Sequence, residues 1–286
     1  MSTARYNEFG HAMRQLEASQ KKRSAVLRDV VALGKRQPFA GVPLLAADVK
    51  PEEMEVIGAK MAQVDDLREK AKLHKDQEYA DPKFHDMEAQ RIQDTIAPEK
   101  LAIYLEEKGR FKDAATALVL AAGKMQDENP EDAACLFEKA AMDHALSRDL
   151  GAAGESLAKA IALSPKEADQ INARVASLVK GYVNLLLDDK RKDFGYEDYD
   201  PFDPTITIIS IKHLEFAAKL VEKSNPQEAS DMLVWAGNLE YHWCLSPTPD
   251  SKRLYDEAAR LIENINPVKA AELRDMSVKQ VNLMGF

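Results

Sequence analysis

The stretch Ala121–Leu136, AAGKMQDENPEDAACL, is matched without gaps by Ala217–Met232, AAKLVEKSNPQEASDM, and by Ala258–Leu273, AARLIENINPVKAAEL. A shorter match runs over Leu157–Ile171, LAKAIALSPKEADQI. The three longer copies share a small-residue pair, an apolar residue at the fifth position and Asn-Pro. They also share an alanine three residues after the proline and an apolar residue three further on. Asn129, Asn225, Asn266 and Ser164 are residue types whose side-chain oxygen caps a helix N-terminus, and proline at the first helical position loses no hydrogen bond there. Ser164 with Glu167, and Asn225 with Glu228, have capping-box or similar spacing. The motif therefore ends one helix and starts the next at once. Pro98, Pro130 and Pro165 lie 32 and 35 residues apart, and Pro226 and Pro267 lie 41 apart. Periods of this length indicate stacked helical hairpins.

Working outward, the spacing predicts an all-α chain: antiparallel hairpins stacked as a right-handed solenoid over residues 98–286, preceded by a segment of long helices over 1–97. Residues 3–33 read as one long helix, with Phe9, Met13, Leu16, Leu27, Val30 and Val31 at near-helical spacing. Glu52–Tyr79 reads as a second, Asp81-Pro82 opens a third and Pro98 a fourth. The hairpin helices are expected near 98–108, 111–127, 130–147, 149–163, 165–187, 205–223, 226–244, 250–264 and 267–281. All 13 prolines fall at boundaries or in loops under this reading, as an all-helical chain requires, since an interior proline costs about 3 kcal/mol. Thr205–Ile211, TITIISI, has strand-like composition. It is taken as the start of a helix because an isolated strand has nothing to pair with.

Two connectors carry candidate binding residues. The loop 38–47 is almost wholly apolar. Its Phe39, Val42, Leu44 and Leu45 either tuck into the core or meet a membrane or partner. The acidic and aromatic insertion 188–204 includes FGYEDYDPFD. Its Tyr196, Tyr199 and Phe202 are candidate partner anchors, with packing of the loop on its own helices, or Ca²⁺ collected by the neighbouring acids, as the other readings.

The chain has 286 residues, 45% apolar content and a formal charge of −9. That is enough apolar material for a real core, and the sign argues against general nucleic-acid binding. The charge is uneven: residues 1–37 carry eight Lys/Arg and three acids, about +5, which leaves about −14 for the rest. Two cysteines, Cys135 and Cys244, form no disulfide framework and are expected to be buried thiols in a reducing compartment. The opening MSTARYNEFGH has no signal-peptide core, and no stretch approaches the roughly 20 apolar residues of a membrane span. A cytoplasmic protein is expected, with peripheral membrane contact open.

For catalysis, Asp188, Asp189 and Asp193 in LLLDDKRKD have nearly the spacing with which paired carboxylates one turn apart hold a divalent ion before a diphosphate. A helical metal-dependent enzyme is one alternative, and a solvated helix end the other. The six histidines are scattered. His242 and Cys244, two apart, point to different helix faces. There is no Gly-rich phosphate loop, HExxH or GxSxG. Neither an enzymatic activity nor a cofactor is expected. Trp235, Leu239, Met232 and Trp243 share one helical face and are expected to pack in the core.

Leu150, Ala153, Leu157, Ala160 and Pro165 fall where tetratricopeptide repeats place their large, small and terminal proline residues. Leu101, Ala102, Leu105, Gly109, Phe111, Ala114, Leu118 and Ala121 fill the same roles in the preceding pair. The stretch Tyr104–Leu163 more closely resembles the soluble NSF attachment proteins, which are tetratricopeptide-like. The resemblance implies a twisted sheet of antiparallel helices, an adaptor that lies along a helical SNARE bundle and recruits an AAA ATPase, and an apolar N-terminal loop that touches membrane. A structural subunit of a larger assembly is the remaining alternative.

Overall fold

A computed structural model describes residues 50–74, 82–193, 204–244 and 248–282. Among these are eleven α-helices and no strand: α1 (Pro51–His74), α2 (Pro82–Gln93), α3 (Pro98–Glu107), α4 (Phe111–Met125), α5 (Pro130–Leu146), α6 (Leu150–Leu163), α7 (Ala168–Asp193), α8 (Pro204–Val221), α9 (Pro226–Cys244), α10 (Pro249–Ile262) and α11 (Pro267–Asn282). Eight of the eleven begin at a proline, the position where its missing donor is harmless.

The Asn-Pro junction recurs in three dimensions. Asn129, Asn225 and Asn266 each donate their backbone N–H over 2.7 Å to the last turn of the preceding helix, at Met125, Val221 and Ile262. Each side-chain Oδ1 accepts the N–H three residues on, from Asp132, Glu228 and Lys269. The expected capping box at Asn225 closes in a modified form. Because the Asn225 backbone N–H is already committed to Val221, the Glu228 carboxylate instead accepts from the Asn225 side-chain amide, at 3.0 Å. Serine has no amide to offer, and at Ser164 the expected box does not form. Pro165–Glu167 is a 3-10 turn with no side-chain cap bond, and α7 starts only at Ala168. A box that the sequence reading passed over stands at Thr248 and Ser251.

These local differences decide the packing. Where Asn-Pro joins two helices (α4–α5, α8–α9, α10–α11), the two lie against one another along their length. At the two junctions without it, Ala97-Pro98 and Ser164-Pro165, no side chain caps the helix. There the later helix leans on the helix two before it: α3 on α1, and α7 on α5 more than on α6. Hairpins α1/α2, α3/α4, α5/α6, α7/α8 and α9/α10 complete the pattern.

The conserved register of the junction is a burial register. The pairs Ala121-Ala122, Ala217-Ala218 and Ala258-Ala259, and the later Ala133, Ala229 and Ala270, are all buried, with Leu136, Met232 and Leu273. Alanines let helix axes approach and leave the large residues to fill the gaps. A close approach also explains Gly237: a Cβ there would stand 3.1 Å from the ring of Tyr255, a fully buried residue of α10. Thr205–Ile211 lies within α8, as expected. Thr207, Ser210, Ile211 and Leu214, at helical spacing, are all buried. That periodicity outweighs the β-branched composition.

Two short hairpin turns are twins. Gly109 donates to Glu106 O and Arg110 to Leu105 O; Arg148 donates to Ala145 O and Asp149 to His144 O. This is the Schellman pattern, which needs a left-handed residue. Gly109 has φ 72° and Arg148 φ 71°.

Candidate interaction surface

The odd-numbered helices from α1 to α11, the first members of successive hairpins, are joined by an unbroken series of ion pairs. Lys100 on α3 meets Glu53 on α1 at 2.7 Å, and Lys139 on α5 meets Glu106 on α3 at 2.8 Å. Arg174 on α7 grips Glu138 on α5 with two bonds, at 2.6 and 2.7 Å. Lys180 on α7 reaches Glu228 on α9 at 3.1 Å, and Lys269 on α11 reaches Asp231 on α9 at 2.8 Å. Glu228 and Lys269 are also the residues whose N–H groups the Asn-Pro caps hold. The junction thus places two members of the row directly.

The pairs differ in burial. The Glu138 side chain is 3% exposed and that of Arg174 15%, whereas Asp231 is 53% exposed. The Glu138 hydrogen bonds, and then its charge, hold the Arg174 guanidinium above its usual range. At the exposed end, the hydrogen bond from Lys100 lowers the Glu53 carboxyl, with burial opposing slightly. On the even-numbered side, Arg253 of α10 pairs with Glu215 of α8. Beside the row, Tyr104 lies against Gly58 of α1, and Lys108 stands 5.5 Å from the Tyr104 ring. A second apolar cluster of Phe111, Leu146 and Tyr182 ties α4 and α5 to α7. Tyr182 touches His213 of α8, whose Nε2 lies 2.9 Å from Ala145 O at the end of α5.

The expected site residues are distributed as follows. Phe39, Val42, Leu44, Leu45, Tyr196, Tyr199 and Phe202, and the long helix 3–33, lie outside the described residues. Asp188, Asp189 and Asp193 belong to α7, which extends beyond the expected end at 187, no glycine or proline standing between Gly181 and Gly195; their side chains are not described. Among the described residues no group of three His, Cys, Asp or Glu is placed to hold a metal ion, and no helix is long and apolar enough to cross a membrane. Cys135 of α5 is half-buried rather than buried. Burial, then Glu138 and Asp132, push its thiol up, away from reactivity. Met232 and Leu239 are buried and Trp235 packs on the core, as expected of that face.

The ion-pair row has no local motif. Its partners are separated by 47, 36, 48 and 38 residues for Glu53–Lys100, Glu138–Arg174, Lys180–Glu228 and Asp231–Lys269. Opposite charges offset by about one repeat period were the signal that could have found them. No protein-family model matches the chain, and neither a curated protein nor a solved structure matches it.

Proposed function

We propose that this chain is a non-enzymatic intracellular adaptor. In this reading its hairpins stack as a right-handed, tetratricopeptide-like solenoid, and its surface holds helical or extended segments of partner proteins. The continuous ion-pair row supports the reading. It links six alternate helices, α1 to α11, with their charges used between helices, as a long, preorganised docking surface needs. In its sharper form the role is that of a soluble NSF attachment protein in vesicle transport. The chain would then lie along a helical SNARE bundle and recruit an AAA ATPase, with Phe39, Val42, Leu44 and Leu45 against the membrane and Tyr196, Tyr199 and Phe202 as further partner contacts.

Two measurements test the sharper form. Wild-type protein should co-sediment with liposomes and lose that binding on Phe39→Ser with Leu44→Ser; equal binding, or none in either, removes the membrane clause. Wild-type protein should also bind a soluble helical SNARE bundle, and failure to do so removes the SNARE clause.

A second reading, a structural subunit of a larger complex, is favoured by apolar side chains exposed in the first described hairpin and on the last described helix. Phe84 and Met87 on α2 are 62% and 71% exposed, and Val268 on α11 is 69% exposed. Mass by size exclusion together with a pull-down from native cytosol separates a free adaptor from a resident subunit.

A further inference from the structure

The α3–α5 contact contains more acid than base. Glu106 of α3 and Asp143 of α5 are 9% and 4% exposed, and one cation, Lys139, stands with them, 2.8 Å from Glu106 Oε1. Glu106 Oε1 has the Lys139 ammonium, whereas Asp143 Oδ2 is shut off from solvent and accepts no hydrogen bond from another group. With both carboxyls ionised the site would hold two negative charges against one positive charge, and one orphaned acceptor on Asp143, an arrangement a low-dielectric interior strongly disfavours.

A single proton resolves both problems. On Asp143 it cancels one charge and gives the two carboxyl groups a hydrogen bond to share. Burial first, and then the neighbouring Glu106 charge, push Asp143 well above the usual carboxylate range; Lys139 opposes, and the hydrogen bond with Glu106 adds to the rise. The charged groups that act on Asp143 are Glu106 of α3 and Lys139 of α5 itself. Glu138, one turn away, is engaged by Arg174 of α7.

We propose that the seating of α3 on α5 is operated by this proton: shared between Asp143 and Glu106 it holds α3 against α5, and its loss loosens α3 from α5 while the α4–α5 and α5–α7 contacts stay shut. The neighbouring contact differs because Arg174 and Glu138 form a doubly bonded pair of one base and one acid, with no excess charge. A raised acid stabilises the fold fully below its unfolded value, and the contribution is lost as pH rises through the folded value. The α3–α5 contact therefore closes in acid and loosens in base. A contact of this kind changes the seating of α3 in the row of odd-numbered helices with pH.

The test is hydrogen exchange on the full chain between about pH 5.5 and about pH 8.5, corrected for intrinsic rates, comparing amides 101–107 of α3 with 175–183 of α7. One linked proton lowers α3 protection by up to about tenfold per pH unit, and the α7 amides should not follow. Asp143→Asn keeps a donor at the same place without charge and should abolish the slope. The proposal is overturned if Asp143→Asn retains the slope, or if α7 shows the same slope as α3. Should that variant fail to fold, infrared spectroscopy of the wild type decides instead. A buried protonated carboxyl band that fades with rising pH supports the proposal, and its absence near neutral pH overturns it.

Discussion

Replacing Arg148 by glycine is expected to stabilise the protein, and replacing Gly109 by alanine to destabilise it by a similar amount. Both residues occupy the left-handed position of the same hairpin turn, with φ of 71° and 72° and matching backbone bonds. Left-handed geometry costs an L-residue about 1–2 kcal/mol, a cost that Arg148 bears and Gly109 avoids. Glycine also has greater freedom in the unfolded chain, which returns about 0.4–1 kcal/mol. The net for Arg148→Gly is about 0.5–1 kcal/mol of added stability, and for Gly109→Ala about the same loss. A Cβ at Gly109 would meet nothing within 4 Å, so no clash enters the second figure. Urea unfolding followed by helical circular dichroism should show the two midpoints moving in opposite directions at unchanged slope. In a chain of 286 residues the melting temperature should move by about 2 °C. A midpoint for Arg148→Gly at or below wild type would refute the equivalence of the two turns.

The remaining predictions concern the pairs, the caps and the buried histidines. Arg174→Met strands the Glu138 carboxylate at 3% exposure and should cost about 3–5 kcal/mol; Lys269→Ala, whose partner is half exposed, should cost less than about 1 kcal/mol. Denaturant midpoints check both. Asn225→Ala removes the cap on Glu228 N–H and should cost about 1 kcal/mol, with faster hydrogen exchange confined to the first turn of α9. Burial lowers both His144 and His213, so their contribution is present above their unfolded value of about 6.5 and is lost as pH falls through the folded value. Asp143 has the opposite sign. From about pH 5 to about pH 7, urea midpoints of Asp143→Asn should therefore rise more steeply than wild type, and those of His213→Asn less steeply.

The sequence made the helix boundaries legible because the chemistry that sets them is local. An asparagine cap, a proline and buried alanines one and two turns away lie within sixteen residues. The same locality explains what it missed. Whether Ser164 closes a capping box depends on which donors the preceding turn has already used, and α7 runs past 187, no glycine or proline standing between Gly181 and Gly195. The ion-pair row was illegible for the converse reason: each half is an ordinary surface charge until two helices about one repeat apart are laid side by side. Asp143 resembles any helix acid in sequence, and only its enclosure by α3 makes it unusual. The apolar loop 38–47 and the aromatics Tyr196, Tyr199 and Phe202 lie outside the described residues, so the candidate surface rests on other groups.

The order of charges along the odd-numbered helices limits how the chain can be shortened or recombined. α3 and α5 each present a base backward and an acid forward, so removing α5 and α6 would bring Glu106 of α3 towards Arg174 of α7 and preserve opposite signs. The sequence of signs reverses at α7, which offers Arg174 to one neighbour and Lys180 to the other, while α9 offers Glu228 and Asp231. Removing α7 and α8 would set Glu138 against Glu228, like against like. The α3/α4 and α5/α6 hairpins thus carry interchangeable charges, whereas loss of α7/α8 alone sets Glu138 against Glu228 and loss of α9/α10 alone sets Lys180 against Lys269.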